Sequence, residues 1–175
     1  KPDEVTDVAK IIDIEITGEP NDVALIDAVV TSERFVGARA LLEPAMLQAM
    51  LLSRADPAAV GMTSVGGLLA PLGAADAGGV YLKMGKGKHS VSAPLSPGVY
   101  RNVNIESFRH VTFSERLSMV GPCVVALDGE RERVIKPGQK FTMWVSDNGP
   151  KIIDVSRTLR LAAANASYLR PQTGA

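Results

Sequence analysis

Apolar and polar residues alternate along Ile12-Asp13-Ile14-Glu15-Ile16-Thr17. A period of two predicts a strand over residues 8–16 with one face in the core and one in water. Gly18-Glu19-Pro20-Asn21-Asp22 follows as a turn, since Gly, Pro and Asn each favour chain reversal for separate steric reasons. Residues 23–30 are apolar on both faces apart from Asp27, the pattern of a central buried strand. The two strands are expected to pair as a hairpin across a loop of about five residues.

Over residues 41–54 the period lengthens. Leu42, Met46, Leu47, Met50 and Leu51 fall on one helical stripe, and Pro44 can occupy a first turn, so a helix ended by Asp56-Pro57 is predicted. Its Met and Leu stripe reads as core packing. Residues 61–88 are dense in glycine, with a short strand over 80–84 and a lysine-bearing hairpin tip at Gly85-Lys86-Gly87-Lys88. Ser92-Ala93-Pro94-Leu95-Ser96-Pro97-Gly98 reads as a stiff loop, because each proline fixes φ and pushes its predecessor toward extended geometry.

The second half is a run of strands, over 99–105, 109–113, 117–120, 123–127 and 141–145. Asp128-Gly129-Glu130, Lys136-Pro137-Gly138 and Asp147-Asn148-Gly149-Pro150 punctuate them. Residues 156–165 have N-cap chemistry followed by helix formers and read as a closing helix; the last five read as a frayed tail. Strands this closely spaced give a mainly β (α+β) class. The expectation is an antiparallel β-sandwich-like domain with one or two helices, residues 1–175 forming a single β-rich unit.

Charge narrows the partners. Nineteen basic residues balance nineteen acidic ones, so no basic field is present to hold nucleic acid or an anionic membrane, and neither is an expected partner. No apolar stretch approaches the roughly 20 residues of a membrane span, and a cytoplasmic chain is expected. Cys123 is the only cysteine, so an internal disulfide is impossible; within Pro122-Cys123-Val124-Val125 it reads as a buried small hydrophobe. His89 and His110 lack ligand spacing. The chain opens at Lys1 without an initiator Met, which implies a longer parent.

The sharpest local motif is Asp128-Gly129-Glu130-Arg131, directly after an apolar strand. Two carboxylates on a tight corner can organise a cation or serve as general base; equally, Asp-Gly forms an ordinary hairpin turn with solvated charges. Gly85-Lys86-Gly87-Lys88 lacks phosphate-loop spacing, Gly66-Gly67 lacks the dinucleotide order, and GxSxG is absent.

Several segments, in order, resemble the ATP-NAD kinase-like proteins of the acetoin-catabolism (AcoX) type, within the NAD kinase and diacylglycerol kinase superfamily. They are Val23-Ala24-Leu25-Ile26-Asp27-Ala28-Val29-Val30, Glu33-Arg34-Phe35-Val36-Gly37-Ala38-Arg39-Ala40, the Ser92 to Gly98 stretch and, most specifically, Val125-Ala126-Leu127-Asp128-Gly129-Glu130-Arg131-Glu132. The resemblance implies the carboxy-terminal, substrate-side domain of a two-domain phosphotransferase. Its amino-terminal nucleotide-binding domain would carry a Gly-Gly-Asp-Gly-Thr motif that this chain lacks. By the same resemblance ATP and Mg²⁺ serve the full-length parent, and Glu130 accepts the proton of a hydroxyl on a nucleotide or small metabolite. Asp128 would act beside it, ordering a metal or water, and the isolated chain would be inactive. The alternative is a non-catalytic ligand-binding or homo-oligomerisation domain on the same scaffold. A lipid kinase ranks third, since no membrane-docking helix is visible.

Overall fold

The computed structural model describes residues 2–32 and 43–170. The alternating stretch forms β2 (Ile11–Ile16), with Ile12, Ile14 and Ile16 buried and Glu15 in water. A separate short strand, β1 (Thr6–Val8), precedes it. β2 pairs antiparallel with β3 (Asp22–Ala24), which is the expected hairpin, Ile12 lying opposite Ala24. The strand expected over 23–30 does not run through. It breaks at Leu25-Ile26, and β4 (Asp27–Thr31) continues in a different sheet.

The helix expected over 41–54 is overturned where residues are described, Leu41 and Leu42 lying outside them. Pro44–Met46 make one 3₁₀ turn, and Leu47–Leu52 are a strand, β5. Helix propensity differs by a few tenths of a kcal/mol per residue among ordinary residues. A central strand gains two ladders and burial on both faces, and Met50, Leu51 and Leu52 are wholly buried.

Two further expectations fail together. β6 (Gly79–Ser96) and β7 (Val99–Val111) form one long hairpin turning at Pro97-Gly98. The expected loop at 92–98 is therefore mostly strand, and the two strands expected over 99–113 are one. Gly85-Lys86-Gly87-Lys88 is no hairpin tip, because it interrupts β6. Met84 and His89 both stand opposite Ile105, so the four residues between them leave the ladder.

β8 (Leu117–Val120), β9 (Cys123–Leu127) and β11 (Lys140–Ser146) lie where expected; β10 (Arg131–Ile135) was unforeseen, its charged residues masking an edge strand. Six strands pair in the order β10-β9-β4-β5-β6-β7 and four in the order β3-β2-β11-β8, while β1 pairs with β12 (Lys151–Ile153). Every pairing between these strands is antiparallel. The mainly β, sandwich-like expectation holds.

One core lies between the sheets, where Ile12, Ile14, Phe141 and Met143 meet Val30, Leu51, Val125 and Leu127. A second lies on the other face of the six-stranded sheet, where Val29, Met50, Leu52 and Leu82 are covered by Met62 and Val65 of α1 (Met62–Gly67), a helix the sequence did not announce. Cores on both sides explain why β4 and β5 show no alternation. Cys123 is buried as expected, and burial pushes its thiol pKa up. α2 (Val155–Ala164) closes the fold, its N-cap Asp154 accepting from the Arg157 N–H at 2.8 Å.

Candidate functional site

A cavity of about 560 Å³ opens where the chain crosses between sheets. Leu25 and Ile26 of the β3–β4 crossing form one wall, Ser53 and Arg54 after β5 another, and the β1–β12 ribbon contributes Val8, Ile152 and Ile153. The lining is mostly apolar, with few polar groups, as in sites for small molecules.

The polar groups around it divide into structural and open ones. Lys10 is buried, and its Nζ donates to the carbonyl oxygens of Gly73 (3.0 Å), Asp76 (2.7 Å) and Gly78 (3.1 Å). All three donors are used, so Lys10 is a strut between the β2 entry and the 73–78 loop. Burial lowers its pKa, against the charge of Asp76. Ser53 Oγ donates to the Leu25 carbonyl at 2.7 Å, joining two walls. Asp7 forms an ion pair with Arg157 at 2.9 Å, and Asp154 caps α2. Arg54 differs. Its guanidinium is exposed and has no partner among the described residues, leaving one open cation in the cavity wall.

Asp128 sits directly behind that wall. Asp128 and Gly129 have φ of 54° and 67°, and the Glu130 N–H donates to the Leu127 carbonyl at 3.1 Å, closing a type I′-like turn between β9 and β10. This left-handed geometry turns the Asp128 carboxylate back onto the β3–β4 crossing. Oδ1 accepts from Ile26 N (2.7 Å), Leu25 N (3.1 Å) and Asp27 N (3.3 Å), and Oδ2 accepts from Leu25 N (2.8 Å). The crossing residues have left the sheet ladder, and Asp128 supplies the acceptors they lost.

The Asp27 carboxyl, the one polar group in the 23–30 run, is pushed up to about 6 by burial and, secondarily, by the charge of Asp128. The Glu130 side chain takes no part in this arrangement: it is exposed on the turn, has no hydrogen-bond or ion-pair partner among the described residues and does not line the cavity. Arg131 instead joins Asp22 at 2.5 Å, and Arg133 joins Glu19 at 2.6 Å and Asp22 at 3.2 Å, stitching β10 to the β2–β3 turn. The hydrogen bond from Arg133 holds the Glu19 carboxyl below its usual range.

The structure thus separates the two carboxylates the motif presented together. Among the described residues no group of three His, Cys, Asp or Glu side chains is arranged to hold a metal. Asp128, with both oxygens committed to backbone N–H groups, does not by itself make a Mg²⁺ site. Sequence reasoning missed Arg54 and Lys10, although a lone Lys before Ile11-Ile12 and a lone Arg between Ser53 and Ala55 were visible.

Fold and cavity together define an antiparallel β domain with a ligand-sized cleft at its sheet crossing. Residues 10–148 match the acetoin catabolism protein X C-terminal domain, and the chain belongs to that family. Acetoin catabolism protein X of Cupriavidus necator (strain ATCC 17699 / H16) is 36% identical over 150 residues, covering 83% of this chain and 42% of that relative. The chain therefore spans less than half the length of the relative it matches. No helix among the described residues is long and apolar enough to cross a membrane.

Proposed function

We propose that this chain is the substrate-side domain of an ATP-dependent phosphotransferase that phosphorylates a hydroxyl of a nucleotide or small metabolite, the cavity behind Asp128 being its half of the site. The observation that carries this reading is a half-built cleft. It has one open cation, Arg54, suited to a phosphate, and a wall fixed by four hydrogen bonds to Asp128. On its ribbon side Ile152 and Ile153 stay exposed, as expected of a surface that an amino-terminal nucleotide-binding domain would cover. The relative's name ties it to acetoin catabolism, and acetoin is itself a small hydroxyl-bearing molecule.

Phosphoryl transfer needs positioning and charge stabilisation more than covalent chemistry from the protein. Arg54 would hold phosphate charge, and Leu25 and Ile26 would seat the apolar part of the acceptor. Asp128 acts as a positioning residue through their backbone. Glu130 is assigned as proton acceptor by family resemblance. ATP and Mg²⁺ would be held with an amino-terminal nucleotide-binding domain, since among the described residues no group of three acidic, His or Cys side chains is arranged to hold a metal. A second reading, a ligand-binding or oligomerisation domain without catalysis, is favoured by the full engagement of Asp128 with backbone.

The experiment is an ATP-dependent phosphate-transfer assay on the full-length parent with hydroxyl-bearing acceptors, comparing wild type, Arg54→Ala and Glu130→Gln. Transfer that falls by about 10²–10⁴-fold in Glu130→Gln supports the base assignment. Wild-type turnover in that variant removes it, and no transfer by the wild-type parent favours the binding domain. The isolated chain is expected to show no turnover.

A further inference from the structure

A second concave surface lies at the other end of β5, about 20 Å from the cleft by the rise of a six-residue strand. This cavity of about 480 Å³ is lined by Lys86, Arg101, Asn102 and Asn104 of the long hairpin, with Glu43 and Leu47 facing them. It is built by the interruption of β6. The Gly85 φ is +147°, a conformation L side chains rarely adopt, and a Cβ on Gly87 would sit 2.1 Å from the Ile105 carbonyl oxygen. Both glycines are therefore required for the backbone to leave the ladder while staying pressed against β7. Such a bulge re-aims the residues it carries, and Lys86 thereby joins Arg101 on the cavity wall.

The charges on this hairpin are unevenly neutralised. Lys83 pairs with Glu106 at 2.7 Å and Arg109 with Glu115 at 2.6 Å. Lys86 and Arg101 have no carboxylate partner among the described residues, and the Arg101 guanidinium makes only a 3.2 Å bond to the Tyr100 carbonyl. Glu43 is engaged as the cap of the 3₁₀ turn, accepting from Ala45 N. With Glu43 the one carboxylate among the lining residues, two cations leave the concavity with a net positive charge, which raises the local concentration of anions.

We propose that this cavity is a binding site for a small phosphorylated molecule, separate from the cleft behind Asp128. Arg101 presents a planar fork to phosphate oxygens, Lys86 adds a point charge, and the amides of Asn102 and Asn104 both donate and accept, matching hydroxyl groups beside the phosphate. The proposal does not depend on the phosphotransferase reading.

The test is calorimetric titration of the chain with inorganic pyrophosphate at low ionic strength, for wild type, Lys86→Gln, Arg101→Ala and Lys140→Gln. Saturable binding is expected, weakened about tenfold or more by Lys86→Gln and by Arg101→Ala, as loss of one charge-assisted contact implies. Lys140→Gln, at an exposed cation that lines neither cavity, should leave it unchanged, and added salt should weaken it. Matching thermal melts for Lys86→Gln and wild type would show that the loss is not misfolding; if Lys86→Gln failed to fold, Asn104→Ala would take its place. Absence of saturable binding, binding indifferent to both hairpin substitutions, or binding weakened as much by Lys140→Gln as by them would each overturn the proposal.

Discussion

In the sandwich, Ile12, Ile14 and Met143 are wholly covered and Phe141 is 1% exposed; in the β1–β12 ribbon, Val8, Ile152 and Ile153 stand 52%, 51% and 60% exposed, and α2 adds Val155 at 64%. Residue types and strand geometry are alike in the two regions. What differs is the number of layers: the sandwich strands lie between elements, whereas β1 and β12 have only each other. A lone two-stranded ribbon is marginal in water. Here it is tethered by Ala9 N to Pro150 O (2.9 Å), Asp154 N to Val5 O (2.7 Å) and surface ion pairs, Lys151 with Asp3 and Arg157 with Asp7. The family match, residues 10–148, covers the sandwich and stops short of both ribbon strands. The lesson is that burial within the sandwich holds the domain together, while the ribbon leaves its apolar surface free.

That contrast breaks or sharpens under substitution. Phe141→Ala should cost about 3–5 kcal/mol in chemical denaturation, the range for emptying a buried aromatic site. A loss no larger than that of a ribbon variant would erase the distinction.

The next effect comes from Asp27, inside the sandwich. Its folded pKa, about 6, lies above the usual carboxylate value of 3.8, so the folded state holds the proton more tightly than the unfolded chain. Stability should therefore fall as pH rises through that window. At 1.36 kcal/mol per unit the fall is roughly 3 kcal/mol by neutral pH. Asp27→Asn should flatten the profile and raise the melting temperature at neutral pH; an unchanged slope in the variant would mean another group titrates.

Smaller is the effect of Asp128→Ala, which strands the N–H groups of Leu25, Ile26 and Asp27 at the sheet crossing. A loss of about 1–3 kcal/mol is expected, with faster amide exchange at those residues. Protection equal to wild type would show that the crossing does not need the carboxylate. Smallest of all, Ile153→Ser on the ribbon should change stability by no more than about 0.5 kcal/mol, measured by the same denaturation.

The local elements were legible where one physical cause acted alone. Alternation at residues 12–16 specified a half-wet strand, and the run Cys123-Val124-Val125-Ala126-Leu127 marked a buried one. Leu47–Leu52 misled because an apolar run buried on both faces carries no period to tell helix from strand. Residues 92–98 misled because β6 pairs with β5 only over residues 80–83 and farther on with β7 alone, and a strand with one free side tolerates the prolines that elsewhere mark a loop.

The candidate site was legible as residue types and illegible as roles. By itself the sequence determined that an Asp-Gly corner would follow a buried strand, since those residues accept the left-handed turn at 128 and 129. It also determined the β class and the family. Only the tertiary structure decided that Asp128 would serve the Leu25 N–H from 103 residues away, that Glu130 would stand apart, and that Arg54 would face a cavity. Turn preferences act between neighbours, whereas a carboxylate's partner is whichever unpaired N–H the packing of two sheets brings within about 3 Å.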